Sequence, residues 1–96
     1  MIIRIFRTII HRDLRDEFED KFQAISQPLV ESCDGVQSVT IAKPTKSAPD
    51  EYVMISIWDS QASIEKFVGP DWNQAHIPAG MEHLIKDSWL HHYETF

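Results

Sequence analysis

Much that would narrow a function is missing from this chain of 96 residues. It has a single cysteine, Cys33, so no internal disulfide can form and the reducing cytoplasm is the expected compartment. Cys33 itself reads as a small residue near a helix end. No apolar run approaches the ~20 residues that a membrane-spanning helix needs. The apolar start, MIIRIFRTII, is interrupted by Arg4 and Arg7 and lacks a small-residue cleavage site, so it reads as a strand and not as a leader. Basic residues are scarce: nine Lys and Arg stand against fifteen Asp and Glu, for a net charge of −6. Nucleic acid and anionic membranes both attract basic faces, so neither is an expected partner. With three glycines there is no Gly-rich phosphate loop. No Cys/His/carboxylate cluster has zinc spacing, and no Ser-His-Asp series stands out, so no metal site is expected. His91 and His92 are neighbours in a strand-like stretch and point to opposite faces, so they cannot share one ion.

What is present is a clear order of periodicities over one expected domain, residues 1–96. Ile2–Ile10 reads as a strand with apolar residues on both parities. Leu14, Phe18, Phe22, Ile25 and Leu29 form one helical stripe over Leu14–Ser32. Asp13 is its expected N-cap, and Pro28 predicts a kink or break near Ala24–Gln27. Asp34-Gly35 closes that helix. Val36–Lys43 and Glu51–Trp58 read as strands joined by the polar loop Pro44–Asp50. Asp59-Ser60 supplies capping oxygens for a second helix carrying Ile64, Phe67 and Val68, which Gly69-Pro70 ends. Asp71–His76 then reads as a short helical turn with Trp72 and His76 on one face. Pro78–Lys86 reads as a last helical piece, and Trp89–Phe96 as the fourth strand.

The order β-α-β-β-α-β is the ferredoxin-like α+β pattern, a four-stranded antiparallel sheet with its helices on one face. The first and third strands are apolar on both faces, so the helix-free face would expose a patch larger than a monomer tolerates. A second copy of the same sheet is the expected cover, which makes the chain a homodimer.

Four stretches carry a family resemblance. They are Asp34-Gly35-Val36, Ile57-Trp58-Asp59-Ser60-Gln61-Ala62-Ser63, Ala75-His76 and Tyr93-Glu94. On these the chain resembles the antibiotic-biosynthesis-monooxygenase-like proteins of the dimeric α+β barrel group. The resemblance implies a small-molecule pocket but not one activity. The family includes cofactor-free oxygenases of polyphenols and quinols, haem-degrading enzymes, and processors of aldehydes or signal molecules.

Read with that resemblance, His76 is the candidate base, because histidine titrates near neutrality as a residue type. Arg7 is the candidate anchor for a phenolate or carboxylate; the alternative is that it pairs with Glu94 or Asp87. Phe6, Met54, Phe67 and Trp72 are candidates for lining an apolar slot, with Trp58 and Trp72 equally readable as core aromatics. The expected function is oxidation of a phenolic or quinol-type compound by a monooxygenase that needs no cofactor. The alternative is a dimer that binds haem or another hydrophobic ligand without turnover. In haem-degrading relatives a histidine at the place of His76 holds the iron, a tryptophan precedes it by nine or ten residues, and an asparagine lies on the first strand. Here those last two positions hold Lys66 or Phe67, and Phe6 or Arg7.

Overall fold

The computed structural model describes residues 1–96. Four strands, β1 (Ile2–Ile10), β2 (Val36–Ala42), β3 (Glu51–Trp58) and β4 (Ile85–Glu94), form one antiparallel sheet in the order β2-β3-β1-β4. The helical residues are α1 (Arg15–Lys21), α2 (Gln27–Glu31) and α3 (Gln61–Val68). This is the ferredoxin-like arrangement the periodicities predict. No helix is long and apolar enough to cross a membrane.

Between α1 and α2 the chain does not break; it widens into a π-helical segment, Phe22–Ser26. The cause is Pro28, which has no N–H for the carbonyl of Ala24 and crowds it with its ring. The backbone N–H of Gln27 reaches instead to Phe22 O. The wide turn delays the buried stripe by one residue, so Phe18, Phe22, Ser26 and Val30 face inward and Ile25, expected in the core, is 40% exposed. The helix entry also differs from expectation. A 3-10 turn, Arg12–Leu14, precedes α1, and Asp13 caps nothing.

β3 shows what separates the two faces of the sheet. Tyr52, Met54, Ser56 and Trp58 are buried, while Val53, Ile55 and Ile57 are half-buried. In β1 the paired register puts Arg4, Phe6 and Thr8 on the side of Ser56, Met54 and Tyr52, under the helices. Ile3, Ile5, Arg7 and Ile9 lie on the other side, beside Ile57, Ile55, Val53 and Glu51. The core fills the helix side and includes Ile10, Phe18, Phe22, Tyr52, Trp58 and Leu84.

The corner where β2 begins and β3 ends is tightly fixed. Gly35 has φ +88° and its carbonyl accepts from Asp59 N at 2.8 Å. A Cβ there would strike Ser63 Oγ and Asp59 Oδ1. Ser63 donates to Asp59 at 2.6 Å and Ser60 caps α3 by accepting from Ser63 N.

After α3 the expected helical pieces do not form. Residues 71–74 make one turn, closed by Gln74 N to Asp71 O at 2.9 Å. The span between Pro70 and Pro78 is too short to repay a helical nucleus. The piece expected over Pro78–Lys86 shrinks to a 3-10 turn, Glu82–Leu84. Gly80 takes φ +87°, which ends any helix, and Ile85 already pairs with Ile10. The fourth strand therefore starts at Ile85 and ends at Glu94.

Candidate functional site

The helix-covered face of the sheet does not close completely. A cavity of about 50 Å³ remains between β1, β3, the α1–α2 helical run, Phe67 of α3 and residues 75–81. Phe6 and Met54, opposite one another across β1 and β3, form its floor. Phe18, Phe22 and Leu29 form a wall, and Phe67, Ala75, His76 and Ile77 close it. The lining is apolar apart from Arg4, Ser26 and His76. The π segment contributes Phe22 and Ser26, so the Pro28-driven widening shapes this wall.

Gly69–Gly80 is the one wall built from neither helix nor strand. Both bounding glycines have positive φ, +86° and +87°, with open space where a Cβ would be. Their role is conformational freedom and not close approach. The segment is held chiefly by Arg4. Its Nη1 donates to Trp72 O at 2.6 Å and its Nη2 to Gln74 O at 3.2 Å. Lys21 Nζ adds a bond to Gly80 O at 3.2 Å.

Arg4 is the unusual residue of this site. It is 7% exposed, and no carboxylate lies within 4.0 Å of it. Its remaining partner is His92 Nε2 at 2.8 Å from Nη1. A guanidinium cannot accept, so His92 accepts through Nε2 and carries its proton on Nδ1. Burial draws the Arg4 pKa down to about 10, which leaves it charged at neutral pH. Burial first, then the charges of Arg4 and His91, push His92 down to about 4, so its imidazole is neutral. The ring of Trp72 packs edge-on against His92 at 4.5 Å.

Of the residues expected at a site, the structure brings Phe6, Met54, Phe67 and His76 around one cavity. His76 sits at the exposed rim, its ring edge-on to Phe67 at 5.1 Å, and no protein group hydrogen-bonds its side chain. Phe67 in turn stacks on the buried Trp58 at 5.9 Å. Trp72 does not line the cavity; it packs behind it, where its carbonyl meets Arg4. Arg7 does not reach it either. It lies on the helix-free face between Val53 and Trp89, and it pairs with neither Glu94 nor Asp87. The reason is parity: residues three apart in a strand face opposite sides, and the helices chose the side of Arg4. Arg4 and His92 were therefore missed. The available signal was that Arg4 shares a parity with Phe6.

Two other features carry less. A wider groove of about 540 Å³ runs between the helix and the edge strand β2, with mixed polar and apolar walls. There Tyr52 donates to Glu19 at 2.6 Å, and burial, reinforced by that bond, pushes its phenol up to about 12. Cys33 donates to Leu29 O at 3.4 Å, and burial followed by the charge of Asp34 raises its thiol, which suits a packing residue and not a nucleophile.

As it stands this cavity admits neither a porphyrin nor a smaller ring. Its volume is room for a few waters. Phe6 and Phe67 occupy the floor and roof, and Arg4 ties the irregular wall down over them.

A family model described as antibiotic biosynthesis monooxygenase matches residues 1–77. No curated protein matches the chain by sequence. Among solved structures, a candidate antibiotic biosynthesis monooxygenase from Deinococcus radiodurans superposes with a TM-score of 0.78 at 17% identity, covering 100% of this chain and 93% of that one. The heme-degrader MhuD from Mycobacterium tuberculosis, with two hemes bound in its active site, gives 0.73 at 16% identity over 99% and 95%. Rv0793 from the same organism gives 0.73 at 16% over 99% and 94%.

Proposed function

Since the chain belongs to the antibiotic biosynthesis monooxygenase family, we propose that it is a small-molecule monooxygenase that oxidises a phenolic or quinol-type compound without a resident cofactor. The observation that carries this reading is the apolar cavity with His76, an imidazole free of protein hydrogen bonds, on its rim. An electron-rich phenol needs an apolar slot and a base. Phe6, Met54 and Phe67 supply the slot, and His76 takes the phenolic proton. The resulting anion is the reductant of molecular oxygen. One oxygen atom enters the ring as a carbonyl, and the other leaves as water with two hydrogens from the substrate.

A cavity of about 50 Å³ admits no ring until a wall moves. The Gly69–Gly80 segment is that wall, and a one- or two-ring compound asks less of it than a porphyrin does. The second reading, a dimer that binds haem or another hydrophobic ligand without turnover, draws on the heme-bound neighbour and on the position of His76 at the rim.

The partner we propose is a second copy of the chain, set sheet to sheet over the helix-free face. Ile3, Ile5, Ile9, Val53, Ile55 and Ile57 lie there half-buried, and Trp89 and Tyr93 are exposed beside them. An obligate interface of this type buries upwards of ~2,000 Å² in total. The lone cysteine agrees with a reducing compartment, the cytoplasm.

Oxygen uptake with a panel of hydroquinones tests the enzymatic reading. Uptake that is lost in His76→Ala supports it. Uptake unchanged by that substitution removes His76 from the mechanism. A Soret band with added haem that disappears in His76→Ala would favour the second reading.

A further inference from the structure

We propose that the cavity selects an apolar ligand bearing one anionic oxygen group, a carboxylate or phenolate, and that Arg4 is the residue that receives it. This rests on the small-molecule reading of the cavity given above.

Arg4 is the only guanidinium, ammonium or carboxylate in the cavity lining, and every acidic side chain of this acidic protein lies beyond 4.0 Å of it. A buried charge without a counter-charge is costly, and a chain that had no use for it would be more stable with a methionine there. Two backbone carbonyls and one neutral imidazole solvate the guanidinium. Those three bonds use three of its five N–H groups. One N–H of Nη2 and the N–H of Nε remain without a protein acceptor. A carboxylate can take two N–H groups of one planar fork, which a neutral isostere cannot match. His92 meets the guanidinium as a neutral acceptor and is not among the cavity-lining residues, so it adds no rival charge to the site. The rest of the lining is mostly apolar, Phe6, Phe67 and Ile77 included, which sets the chemical class: a ring or short hydrocarbon with one acidic end.

The clamp on the moving wall gives Arg4 a second part in the same event. It holds Trp72 and Gln74 by their carbonyls and also lines the cavity, so an anion that engages its remaining donors is enclosed by the segment Arg4 holds.

The test is a comparison of 2-naphthoate, ionised at neutral pH, with its neutral isostere 2-naphthamide, by titration calorimetry at pH 7. The expected result is that the wild-type protein binds the carboxylate about tenfold more tightly or better, the equivalent of one charge-assisted hydrogen bond. Arg4→Met should abolish that preference, weakening the carboxylate by a larger factor than the amide, and Arg4→Lys should keep part of it. Circular dichroism checks that each variant folds. Should Arg4→Met fail to fold, the wild-type pair and Arg4→Lys still decide. Equal affinities for the two probes in the wild-type protein overturn the proposal and leave the pocket reading standing. A preference that survives intact in Arg4→Met overturns it as well. If neither probe binds, the pocket reading falls and this proposal falls with it.

Discussion

Arg4 and Arg7 stand three residues apart on one strand and live in different worlds. Arg4 is under the helices, 7% exposed, with carbonyls and an imidazole for company. Arg7 is on the helix-free face among half-buried aliphatics. The two faces of the sheet are similarly apolar in sequence, yet one is sealed by this chain except for a cavity and the other is left for something else. The difference teaches that apolar strands alone do not locate a site; the layer that covers them does. The covered face holds the cavity, and the open face is the one we propose a second copy covers.

The comparison breaks most severely if a charge on the open face is harmless. Ile55→Asp places two uncompensated carboxylates in the proposed symmetric interface, at about 3–5 kcal/mol each. Sedimentation should show dissociation or unfolding at micromolar concentration, where the wild-type protein is expected to sediment as a dimer and to unfold in a concentration-dependent way. A covered-face truncation should come next. Trp58→Ala removes a fully buried side chain that also donates to Ser56 Oγ at 2.9 Å, and chemical denaturation should show a loss of about 3–5 kcal/mol.

A smaller effect comes from pH, and it belongs to the covered face alone. His92 has its folded pKa lowered to about 4 from an ordinary 6.5. Between those values the unfolded chain binds the extra proton and the folded one does not, so stability falls as pH drops from 6.5 towards 4. Because His92 is only partly buried, the loss is about 1 kcal/mol after solvent screening. Denaturation midpoints from pH 7 to pH 4.5 should show it, and His92→Gln should flatten the slope. The smallest effect tests the π segment. Ile25 is turned outward by it, so Ile25→Gln should change stability by no more than about 0.5 kcal/mol; a loss of several kcal/mol would put Ile25 back in the core.

The fold was legible because strand and helix periods are written in residues such as Tyr52, Met54 and Trp58, or Phe18 and Phe22, whose spacing survives any detail of packing. The kink was legible for the same kind of reason, since Pro28 must cost a hydrogen bond wherever it sits. Its direction was not: a widened turn and a clean break both satisfy Pro28, and only packing selects the one that exposes Ile25. The site was half legible. Phe6, Met54, Phe67 and His76 share a cavity as residues of the right type and parity. Arg4 was passed over for Arg7 because parity says that they face opposite ways without saying which way the helices lie. Asp71–His76 was misread as a helical turn because Trp72 and His76 have helical spacing, and Pro78–Lys86 as a helical piece, while Pro70, Pro78 and Gly80 leave no room for either.

The central claim is that the covered face holds the small molecule and the open face does not. Amide chemical-shift mapping during a 2-naphthoate titration tests it directly. The account predicts saturable shifts at Arg4, Phe6, Phe67 and His76, with Ile5, Ile55 and Trp89 unmoved. Shifts confined to Ile5, Ile55 and Trp89, or none at the cavity residues while binding is measured by calorimetry, would contradict it.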